Sequence, residues 1–271
     1  MAYANFKPTI WSKQIQNGLS KFTVFADDCD YKFSAEAGKG KTVRILGVAR
    51  PTIGDYTGAN IGNPEIVSDS VCTLAIDQAK FFNFQVDDVD AAQAVDGLMQ
   101  ALITEAARAM AEQRDAYIAS LAADSANISA PTSVKTSAEA RAAIDKALVA
   151  LWEKGVNITD SVTMYLTPWF YDLFHTSVSE LKTSNDSEVS KGILGLYRGV
   201  NVKMSNNISK VAADDLIMIK SSKAIAFCGG IDETEAYRPQ GLFCDAVKGL
   251  NTYGAKIVRP NEMYVVKAHN S

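Results

Sequence analysis

Three carboxylates stand where an aromatic run ends, in the stretch FFNFQVDDVDAAQ at residues 81–93. Asp87, Asp88 and Asp90 are close enough in sequence to bind a divalent cation or to work as an acid–base pair. Acids are also expected in the first turn of a helix, where they cap free backbone N–H groups and complement the helix dipole. The hydrophobic period changes from two to 3.6 residues at this point. We therefore interpret the three acids as the structural start of a helix.

A second candidate for chemistry is the segment AEAGKGKT at residues 35–42, which satisfies a relaxed phosphate-loop pattern with Gly40, Lys41 and Thr42 in place. A phosphate loop lies between a buried strand and a helix, because the helix N-terminus helps to hold the phosphates. Here the alternating, β-branched VRIL follows, and alanine occupies the first glycine position. We therefore predict a Gly- and Lys-rich hairpin turn. A cytosolic nucleotide-binding enzyme that uses Lys41 is the disfavoured alternative.

Histidine and cysteine add no catalytic or metal-binding pattern. His269 lies two residues from the end of the sequence, and His175 follows PWFYDLF, where we expect it to cap the C-terminal end of a helix. The motifs GxSxG and HExxH and a Gly-rich dinucleotide loop are missing. The scattered cysteines indicate neither a zinc site nor a disulfide framework: Cys29, Cys72, Cys228 and Cys244. We predict no catalytic residue, no cofactor and no metal ion.

The composition is that of an ordinary globular protein. The 271 residues include 47% hydrophobic and 21% charged residues with a formal net charge of -4, enough for one large or two small domains with a sizeable core. No block of like charge suits an arm for nucleic acid, and no apolar run suits a membrane span. The first residues lack a basic segment followed by an apolar one, so we expect no signal peptide and a reducing cytoplasm.

Residues 31–88 have the texture of β-structure. KTVRILGVA alternates Val43 and Ile45 with Thr, Arg and Leu, and VCTLAIDQAKFFNFQV resumes the strand pattern after the glycine-rich segment RPTIGDYTGANIGNPE. The second strand carries three apolar residues on one face: Phe82, Phe84 and Val86. We predict a long two-stranded excursion with a mobile tip. An extended arm at residues 1–30, with a short helical turn near Ile10–Leu19, precedes it.

A very long helix is predicted next. Seven residues recur at helical spacing between Asp90 and Ala122: Val95, Leu98, Leu102, Ala106, Ala109, Gln113 and Tyr117. Alanine is abundant, and no proline interrupts the segment. Roughly 30 residues at ~1.5 Å each span about 45 Å, whereas an average helix has about 11–12 residues. A helix of this length is unusual in a compact monomer of this size.

The second half of the chain mixes helices and strands. Thr136 and Glu139 form a capping-box pattern for a helix that Gly155 closes. The strand SVTMYL precedes a short helix with Thr167 at the N-cap and Pro168 at its first position. Further strands are predicted in GILGLYRGVNVKMSNNI, DDLIMIKSSKAIAFCGG and GAKIVRPNEMYVVKA. Four aromatic residues at helix-face spacing are predicted to lie in the core: Trp152, Trp169, Phe170 and Phe174.

The order of these parts resembles the major capsid protein of tailed bacteriophages, with its Hong Kong 97-like fold. An extended arm, a β-excursion with a Gly-rich tip, an acidic junction, a long Ala-rich helix and a mixed α/β region follow one another over nearly the whole chain. The segments VTMYLTPWFYDLF and GILGLYRGVNVKMSNNI are similar to recurring axial-domain segments of such coat proteins. The resemblance implies an α+β fold in five parts: N-terminal arm 1–30, extended β-loop 31–88, spine helix of the peripheral domain 89–130, axial domain 131–240 and return strands of the peripheral domain 241–271.

The resemblance also implies a structural function. Subunits would assemble as pentamers and hexamers of an icosahedral shell in the host cytoplasm, and this shell would enclose double-stranded DNA without sequence-specific binding. Scaffolding, portal and decoration proteins are the further partners expected, and a membrane is not. The same fold also builds encapsulins, which are bacterial enzyme compartments. A compartment shell with a cargo enzyme is therefore the alternative.

The inter-subunit contacts that the resemblance implies involve the excursion and the long helix. The acidic junction would fix the angle at which the excursion leaves the body. Cations that flank the tip are expected to pair with acids on the helix of an adjacent subunit, and such screened pairs contribute at most about 1 kcal/mol each. The expected contact residues are Lys39, Lys41, Arg44 and Arg50 with Glu105, Glu112 and Asp115, together with Tyr56 among the few large apolar residues of the tip.

Overall fold

The computed structural model describes the following stretches of the chain: residues 24–34, 42–48, 53, 69–87, 98–157, 160–179, 195–241 and 243–270. Some predictions concern residues outside these stretches and stay predictions. They are the helical turn at Ile10–Leu19, the hairpin turn at 35–41, the Gly-rich tip apart from Ile53, and the helix start at Asp88 and Asp90.

Within the described residues the chain forms three α-helices and twelve β-strands. The helices are α1 (Leu98–Ser120), α2 (Ser137–Glu153) and α3 (Pro168–Ser179). The strands are β1 (Thr42–Val48), β2 (Asp69–Ala75), β3 (Gln78–Asp87), β4 (Thr132–Ser133), β5 (Val162–Leu166), β6 (Leu196–Tyr197), β7 (Val200–Met204), β8 (Lys210–Val211), β9 (Asp214–Ser221), β10 (Ile225–Tyr237), β11 (Cys244–Ile257) and β12 (Met263–His269). These strands are arranged in three sheets.

Strands β1 and β2 form an antiparallel hairpin in which all seven residues of each strand are paired. The predicted alternation is confirmed, because Val43 and Ile45 are buried whereas Leu46 is exposed. The buried side chains pack on Ala226 and Cys228 of β10. One face of the hairpin is therefore held by its own subunit, and the other face points outward.

Strands β10, β11 and β3 form an antiparallel sheet with β11 in the middle. The side chains of β3 alternate as predicted, with Phe82, Phe84 and Val86 more buried than the residues between them. One continuous return strand of the excursion was predicted, however, whereas β2 ends at Ala75 and β3 belongs to this second sheet. Helix α1 packs on this inner face, where Phe82 and Phe84 contact its apolar stripe. The predicted long helix is thereby confirmed over the 23 residues of α1, and it packs against the sheet.

The buried face of α1 differs from the predicted one. Two residues of the predicted stripe, Ala109 and Gln113, are exposed. The buried stripe lies elsewhere on the helix: Ile103, Ala107, Ala111, Asp115, Ile118 and Ala119. An Ala-rich helix offers small apolar residues on more than one face, so the 3.6-residue period alone did not determine which face is buried.

The largest sheet has the strand order β4-β12-β9-β5-β7-β6, with β8 paired to β9. Helices α2 and α3 pack on each other and bury a core against this sheet, in which every residue of β5 is buried. Phe170 and Phe174 are fully buried, and Trp152 and Trp169 are partly buried against the same core. The prediction that these four aromatic residues form core contacts is confirmed.

Two strands lie in a different sheet from the one that the expected domain bounds imply. Strand β10 falls within the region 131–240 but pairs with β11, beside the long helix. Strand β12 falls within the region 241–271 but pairs with β9, inside the seven-stranded sheet. Strands were predicted at the start of β10 and at β12, although β10 continues beyond the predicted segment to Tyr237. Sheet partners depend on contacts between distant parts of the chain, which local periodicity does not contain.

The ends of α2 follow the predicted signals. The Thr136 hydroxyl accepts a hydrogen bond from the backbone N–H of Glu139, and the Glu139 carboxylate accepts one from the backbone N–H of Thr136. Gly155 follows the helix with a φ of +88°, a left-handed conformation that glycine adopts without strain. The capping box is therefore confirmed as the start of this helix, and Gly155 is confirmed as its end.

The ends of α3 are only partly as predicted. The helix begins at Pro168, but the buried hydroxyl of Thr167 has no hydrogen-bond partner among the described residues, so it caps no N–H group. His175 lies inside the helix, with its ring stacked on that of Tyr171, and not at the C-terminal end. The helix continues for one more turn than the apolar pattern indicated, because Val178 joins the core.

Candidate assembly site

Residues 24–34 are held against the body of the subunit by the buried contacts of residues 24–29, which we name the buried anchor. Phe25 is buried, and its ring lies 4.2 Å from the ring of Tyr165 on β5. The carboxylate of Asp115 on α1 accepts hydrogen bonds from the backbone N–H groups of Val24 and Phe25 at 3.2–3.3 Å. The anchor therefore ties the chain that precedes β1 both to the long helix and to the seven-stranded sheet.

Asp115 was predicted to face an adjacent subunit, and this prediction is wrong. Only 1% of its surface is exposed. Burial raises the pKa of its carboxyl from 3.8 to about 6, while the backbone N–H donors of Val24 and Phe25 lower that pKa in part. The error has the same cause as the misplaced stripe, since Asp115 belongs to the buried face of α1. Its side chain serves the fold of its own subunit.

A second acid of the anchor, Asp28, reaches the seven-stranded sheet. Its carboxylate accepts hydrogen bonds from the Tyr165 hydroxyl and the Lys203 ammonium, each at 2.6 Å. The fully buried ammonium of Lys220 on β9 donates to the backbone carbonyl of Asp28 and lies 3.8 Å from the sulfur of Cys29. Burial lowers the pKa of Lys220 and raises that of Tyr165. Since buried polar groups are costly without partners, these contacts fix the position of the segment.

The chain beyond the anchor lies along the edge of the three-stranded sheet. The backbone of Asp30 donates to the Ile225 carbonyl at 2.9 Å and accepts from the Phe227 N–H at 3.0 Å. The hydroxyl of Ser34 donates to the carbonyl of Phe227 at 3.1 Å. These contacts cover the first residues of β10 and hold the chain in place shortly before the hairpin begins.

The hairpin crosses the outer face of the three-stranded sheet at its root. A Cβ at position 254 would collide with the backbone of Ala75 and Ile76, so Gly254 is required for this close approach. On the neighbouring strand, a Cβ at Gly230 would press on Thr252 and on the side chain of Ile76. The hairpin is thus seated by direct backbone contact, which defines where it leaves the body.

Four of the predicted contact residues lie in described parts of the chain. Asp115 is buried, whereas Arg44 on β1 and Glu105 on α1 are exposed. Glu112 is also exposed and pairs with Arg108 of the same helix at 3.2 Å. Four others lie outside the described residues: Lys39, Lys41, Arg50 and Tyr56. The pairing of tip cations with helix acids of a neighbour therefore stays a prediction.

The segment after the phosphate-loop-like sequence is a strand, as predicted. β1 begins at Thr42, where a phosphate loop needs the N-terminus of a helix. Within the described ranges no group of three or more metal-binding side chains occurs, and the four cysteines form no disulfide with one another. No helix in the same ranges combines the length and apolarity needed to cross a membrane.

Sequence reasoning missed the buried anchor, although one of its residues carried a signal. Lys220 interrupts the apolar strand LIMIKS, and a lysine in a fully buried strand requires a partner. Asp28 carried no comparable signal, because Lys203 and Tyr165 lie 175 and 137 positions away in sequence. The lysine could have been identified, but its partner could not.

An anchored N-terminal segment, an outward hairpin, a long helix on a three-stranded sheet and a larger helix-covered sheet define the Hong Kong 97-like fold of capsid subunits. The model of the family described as phage capsid protein matches residues 72–266. This match spans more than half of the chain, and the chain belongs to the phage capsid protein family. It is a structural shell protein, as its resemblance to the major capsid proteins of tailed bacteriophages implied.

Solved capsid structures share the fold of this chain along most of the chain's length. A chain of Mycobacterium phage Che8 is 28% identical with a TM-score of 0.76, and 90% of each chain is covered. The capsid structure of the cyanophage P-SCSP1u is 14% identical with a TM-score of 0.75, covering 92% of this chain and 89% of that one. A virus-like particle from Pyrococcus furiosus is 14% identical with a TM-score of 0.62, covering 95% and 98%. Comparison with curated protein sequences gives no match.

Proposed function

We propose that the subunits join as pentamers and hexamers, which close into an icosahedral shell around double-stranded DNA. The observation that carries this proposal is the anchored hairpin. It leaves the body at a fixed root and exposes the apolar residues Leu46 and Val71. Exposed apolar side chains next to each other are typical of interaction sites. A contact between this element and a different surface of the next subunit is heterologous, and such contacts form rings when the rotation between neighbours closes.

DNA enters the proposal as contents of the shell and not as a specific ligand. Binding of double-stranded DNA by counterion release needs clustered Lys and Arg. The chain has a formal net charge of -4 and no basic block. A slightly acidic shell protein would let DNA pack and leave, so we expect no sequence-specific affinity.

The proposed partners are those of a shell under construction in the host cytoplasm. They comprise copies of this chain and, beyond them, scaffolding, portal and decoration proteins. Catalysis is not part of the proposal. We expect no ATP binding that depends on Lys41, and calorimetric titration of the wild type and Lys41→Ala with ATP and magnesium measures it. Micromolar binding that is lost in the variant would contradict a purely structural protein.

Assembly itself is tested by expressing the full chain and following it by sedimentation and negative-stain electron microscopy. Closed particles, or rings of five and six subunits, are the expected result. The expression is repeated with the scaffolding protein of the same phage, because some shells need one to nucleate. A chain that stays monomeric in both cases would overturn the proposal.

A compartment shell with protein cargo is the second candidate. The observation in its favour is the similarity to the virus-like particle from Pyrococcus furiosus, which extends over 95% of this chain. The contents of purified particles distinguish the two. Nuclease-protected double-stranded DNA supports the viral shell, and a stoichiometric co-purifying enzyme supports the compartment.

A further inference from the structure

Three parts of the subunit meet beside the hairpin and leave a cavity of about 410 Å³ between them. They are the segment that precedes the hairpin, the hairpin itself, and the body where β9 turns into β10 and where β11 ends. Ligand sites in proteins have volumes of about 300–1,000 Å³, so this cavity is large enough for a small molecule. We name it the junction cavity, and the residues that line it include Phe33, Cys72, Lys223, Val258 and Arg259.

One wall of the junction cavity is apolar. It forms the border of the small core cluster in which Ile45 of β1 packs on Ala226 of β10, and both of these residues are buried. Phe33, Cys72 and Val258 are partly buried against the same cluster. Such a wall favours the hydrocarbon part of a ligand, because apolar surface on both sides is then removed from water.

The rim of the junction cavity carries two cations, Lys223 and Arg259. The ammonium of Lys223 pairs with the carboxylate of Asp160 at 3.2 Å. The guanidinium of Arg259 pairs with the carboxylate of Glu262 at 2.9 Å. An ammonium has three donors and a guanidinium has five, so each cation can bind a further anion besides the acid it already contacts.

The body of the subunit holds both cations in place through its backbone. The N–H groups of Val258 and Arg259 donate to the carbonyl of Ala224 at 2.9 and 3.2 Å. The N–H group of Lys223 donates to the hydroxyl of Ser221 at 3.0 Å. These hydrogen bonds tie the end of β11 to the turn before β10. The two cations are therefore positioned before any ligand arrives, which lowers the cost of binding.

One acid, Asp30, also lines the cavity. Its carboxylate accepts a hydrogen bond from the backbone N–H of Lys32 at 3.1 Å. With two cations and one acid, the residues that line the cavity carry a net charge of +1. The lining therefore favours a ligand with a negative charge over a neutral or positive one.

We propose that the junction cavity binds a small organic anion with one carboxylate and an apolar body, as in a medium-chain fatty acid. The carboxylate contacts Lys223 and Arg259 at the rim, where the planar guanidinium matches the two carboxylate oxygens. The hydrocarbon lies against Phe33, Cys72 and Val258.

A ligand in the junction cavity connects parts of the subunit that are otherwise held together by few contacts. It touches the hairpin through Cys72, the preceding segment through Phe33 and the body through Arg259. A bound ligand should therefore stabilise the angle at which the hairpin leaves the body. Binding is a property of the single subunit, so this inference goes beyond the shell function and does not rest on it.

Cys72 provides a reporter for the cavity in the unmodified chain. It lies half-buried on the cavity wall, whereas Cys29, Cys228 and Cys244 are buried. The unassembled subunit is treated with a maleimide, and mass spectrometry follows the labelling of Cys72 at increasing concentrations of octanoate. Octanoate should slow the labelling in a saturable manner. Octan-1-ol is the matched control ligand, because it has the same hydrocarbon chain without the charge, and it should protect Cys72 much less.

Removal of the rim charges tests the role of the two cations. Lys223→Gln and Arg259→Gln should each raise the octanoate concentration for half-maximal protection roughly fivefold, which corresponds to about 1 kcal/mol for an exposed ion pair. Lys248→Gln is the matched control and should change nothing, because Lys248 is an exposed cation that pairs with Glu235 at 2.8 Å and does not line the cavity. Circular dichroism verifies that each variant folds.

A variant that fills the cavity provides an independent measurement. Cys72→Trp places a large ring on the cavity wall, so calorimetric titration with octanoate should show no binding to this variant and clear binding to the wild type. If Cys72→Trp does not fold, the two glutamine variants decide the question by the labelling experiment.

Several outcomes would overturn the proposed ligand site. Labelling of Cys72 that is slow without a ligand would mean that the cavity is closed in solution. Equal protection by octanoate and octan-1-ol would show unspecific binding to apolar surface. Protection that Lys223→Gln and Arg259→Gln leave unchanged would place the ligand elsewhere. None of these results bears on shell formation, and octanoate binding by a chain that never assembles would contradict the shell function alone.

Discussion

The carboxylate of Asp115 accepts a hydrogen bond of 3.2 Å from the backbone N–H of Val24, a residue 91 positions earlier in the chain. The same carboxylate accepts from the N–H of Phe25. Asp115→Ala would leave both donors without this acceptor, so we expect it to lower the free energy of unfolding by about 1–3 kcal/mol. Urea denaturation of the unassembled subunit measures the change. Asp115→Asn is the matched control, because its amide oxygen still accepts, and equal losses in both variants would contradict this explanation.

The ionisation of Asp115 should contribute to the pH dependence of the free energy of unfolding. Its pKa is raised by burial from 3.8 to about 6, so the folded state holds the proton more tightly than the unfolded state does. Its contribution to stability is therefore largest below about pH 4 and is lost as the pH rises through about 6. The difference in unfolding free energy between wild type and Asp115→Asn, measured from pH 4 to 7.5, should shift in favour of the variant up to about pH 6 and change little above that pH. A shift in the opposite direction would mean that the carboxylate is stabilised in its charged form.

Because the hairpin root approaches the sheet closely, replacing Gly254 by alanine should destabilise the subunit much more than replacing Gly229. Gly254→Ala places a Cβ against the backbone of Ala75, whereas a Cβ at Gly229 meets nothing within 4 Å. We expect Gly254→Ala to lower the free energy of unfolding by about 1–3 kcal/mol, as overpacking does. Gly229→Ala should change it by less than about 1 kcal/mol. Thermal denaturation of both variants, followed by assembly trials, measures this. Shells from Gly254→Ala with wild-type yield would show that the hairpin can be reseated.

Because Lys220 is buried, the stability of the subunit should depend on the volume of the side chain at this position. Lys220→Ala removes the donor to the Asp28 carbonyl and leaves a cavity beside Tyr165, which is expected to cost about 2–5 kcal/mol. Lys220→Met fills most of the space and removes an ammonium whose pKa burial already lowers, so it should cost clearly less. Guanidinium denaturation of the unassembled subunits compares the two variants. A Met variant as unstable as the Ala variant would show that the hydrogen bond dominates over packing.

Local signals in the sequence predicted the ends of α2 and the alternation of β1. The capping box at Thr136, the left-handed Gly155 and the alternation around Val43 depend on neighbours within a few residues, and all three are confirmed. The inner face of α1 could not be predicted, because alanine packs on either side of a helix. The sheet membership of β10 and β12 could not be predicted either, because their partners are remote in sequence.

The exposed surfaces of the subunit were only partly predictable from the sequence. The β1–β2 hairpin of the predicted excursion is confirmed with Arg44 exposed on it, whereas β3, which was predicted as part of the same excursion, lies in the three-stranded sheet. The predicted partner residues on the long helix include Asp115, which is buried. The exposed apolar pair of Phe81 and Leu250 could not be predicted, because the two residues become neighbours only through the pairing of β3 with β11. A surface patch built from two strands has no signature in either strand alone.

The Gly-rich tip provides the last prediction. Of residues 50–64, the structure describes Ile53, which is 83% exposed. Fixing each residue costs roughly 1–2 kcal/mol, and glycine loses more freedom than any other residue. Few apolar side chains in this sequence could offset that cost, so we expect the tip to become ordered only against a neighbour. The paired strands β1 and β2 and their buried contacts on β10 lie outside the tip.

Deletion of residues 52–62 should therefore leave a folded subunit that fails to assemble or assembles wrongly. Circular dichroism is expected to match the wild type, because the hairpin strands and both larger sheets are untouched, whereas sedimentation should show a loss of closed particles. Replacing the same residues by a Gly/Ser linker of equal length is the control, since it keeps the chain length but removes Ile53 and Tyr56. If the linker variant forms shells, the length of the tip is what assembly requires. If it also fails to form shells, the side chains of the tip are required. Normal shells from the deletion itself would show that the tip is dispensable, and an unfolded subunit would place the tip in the core.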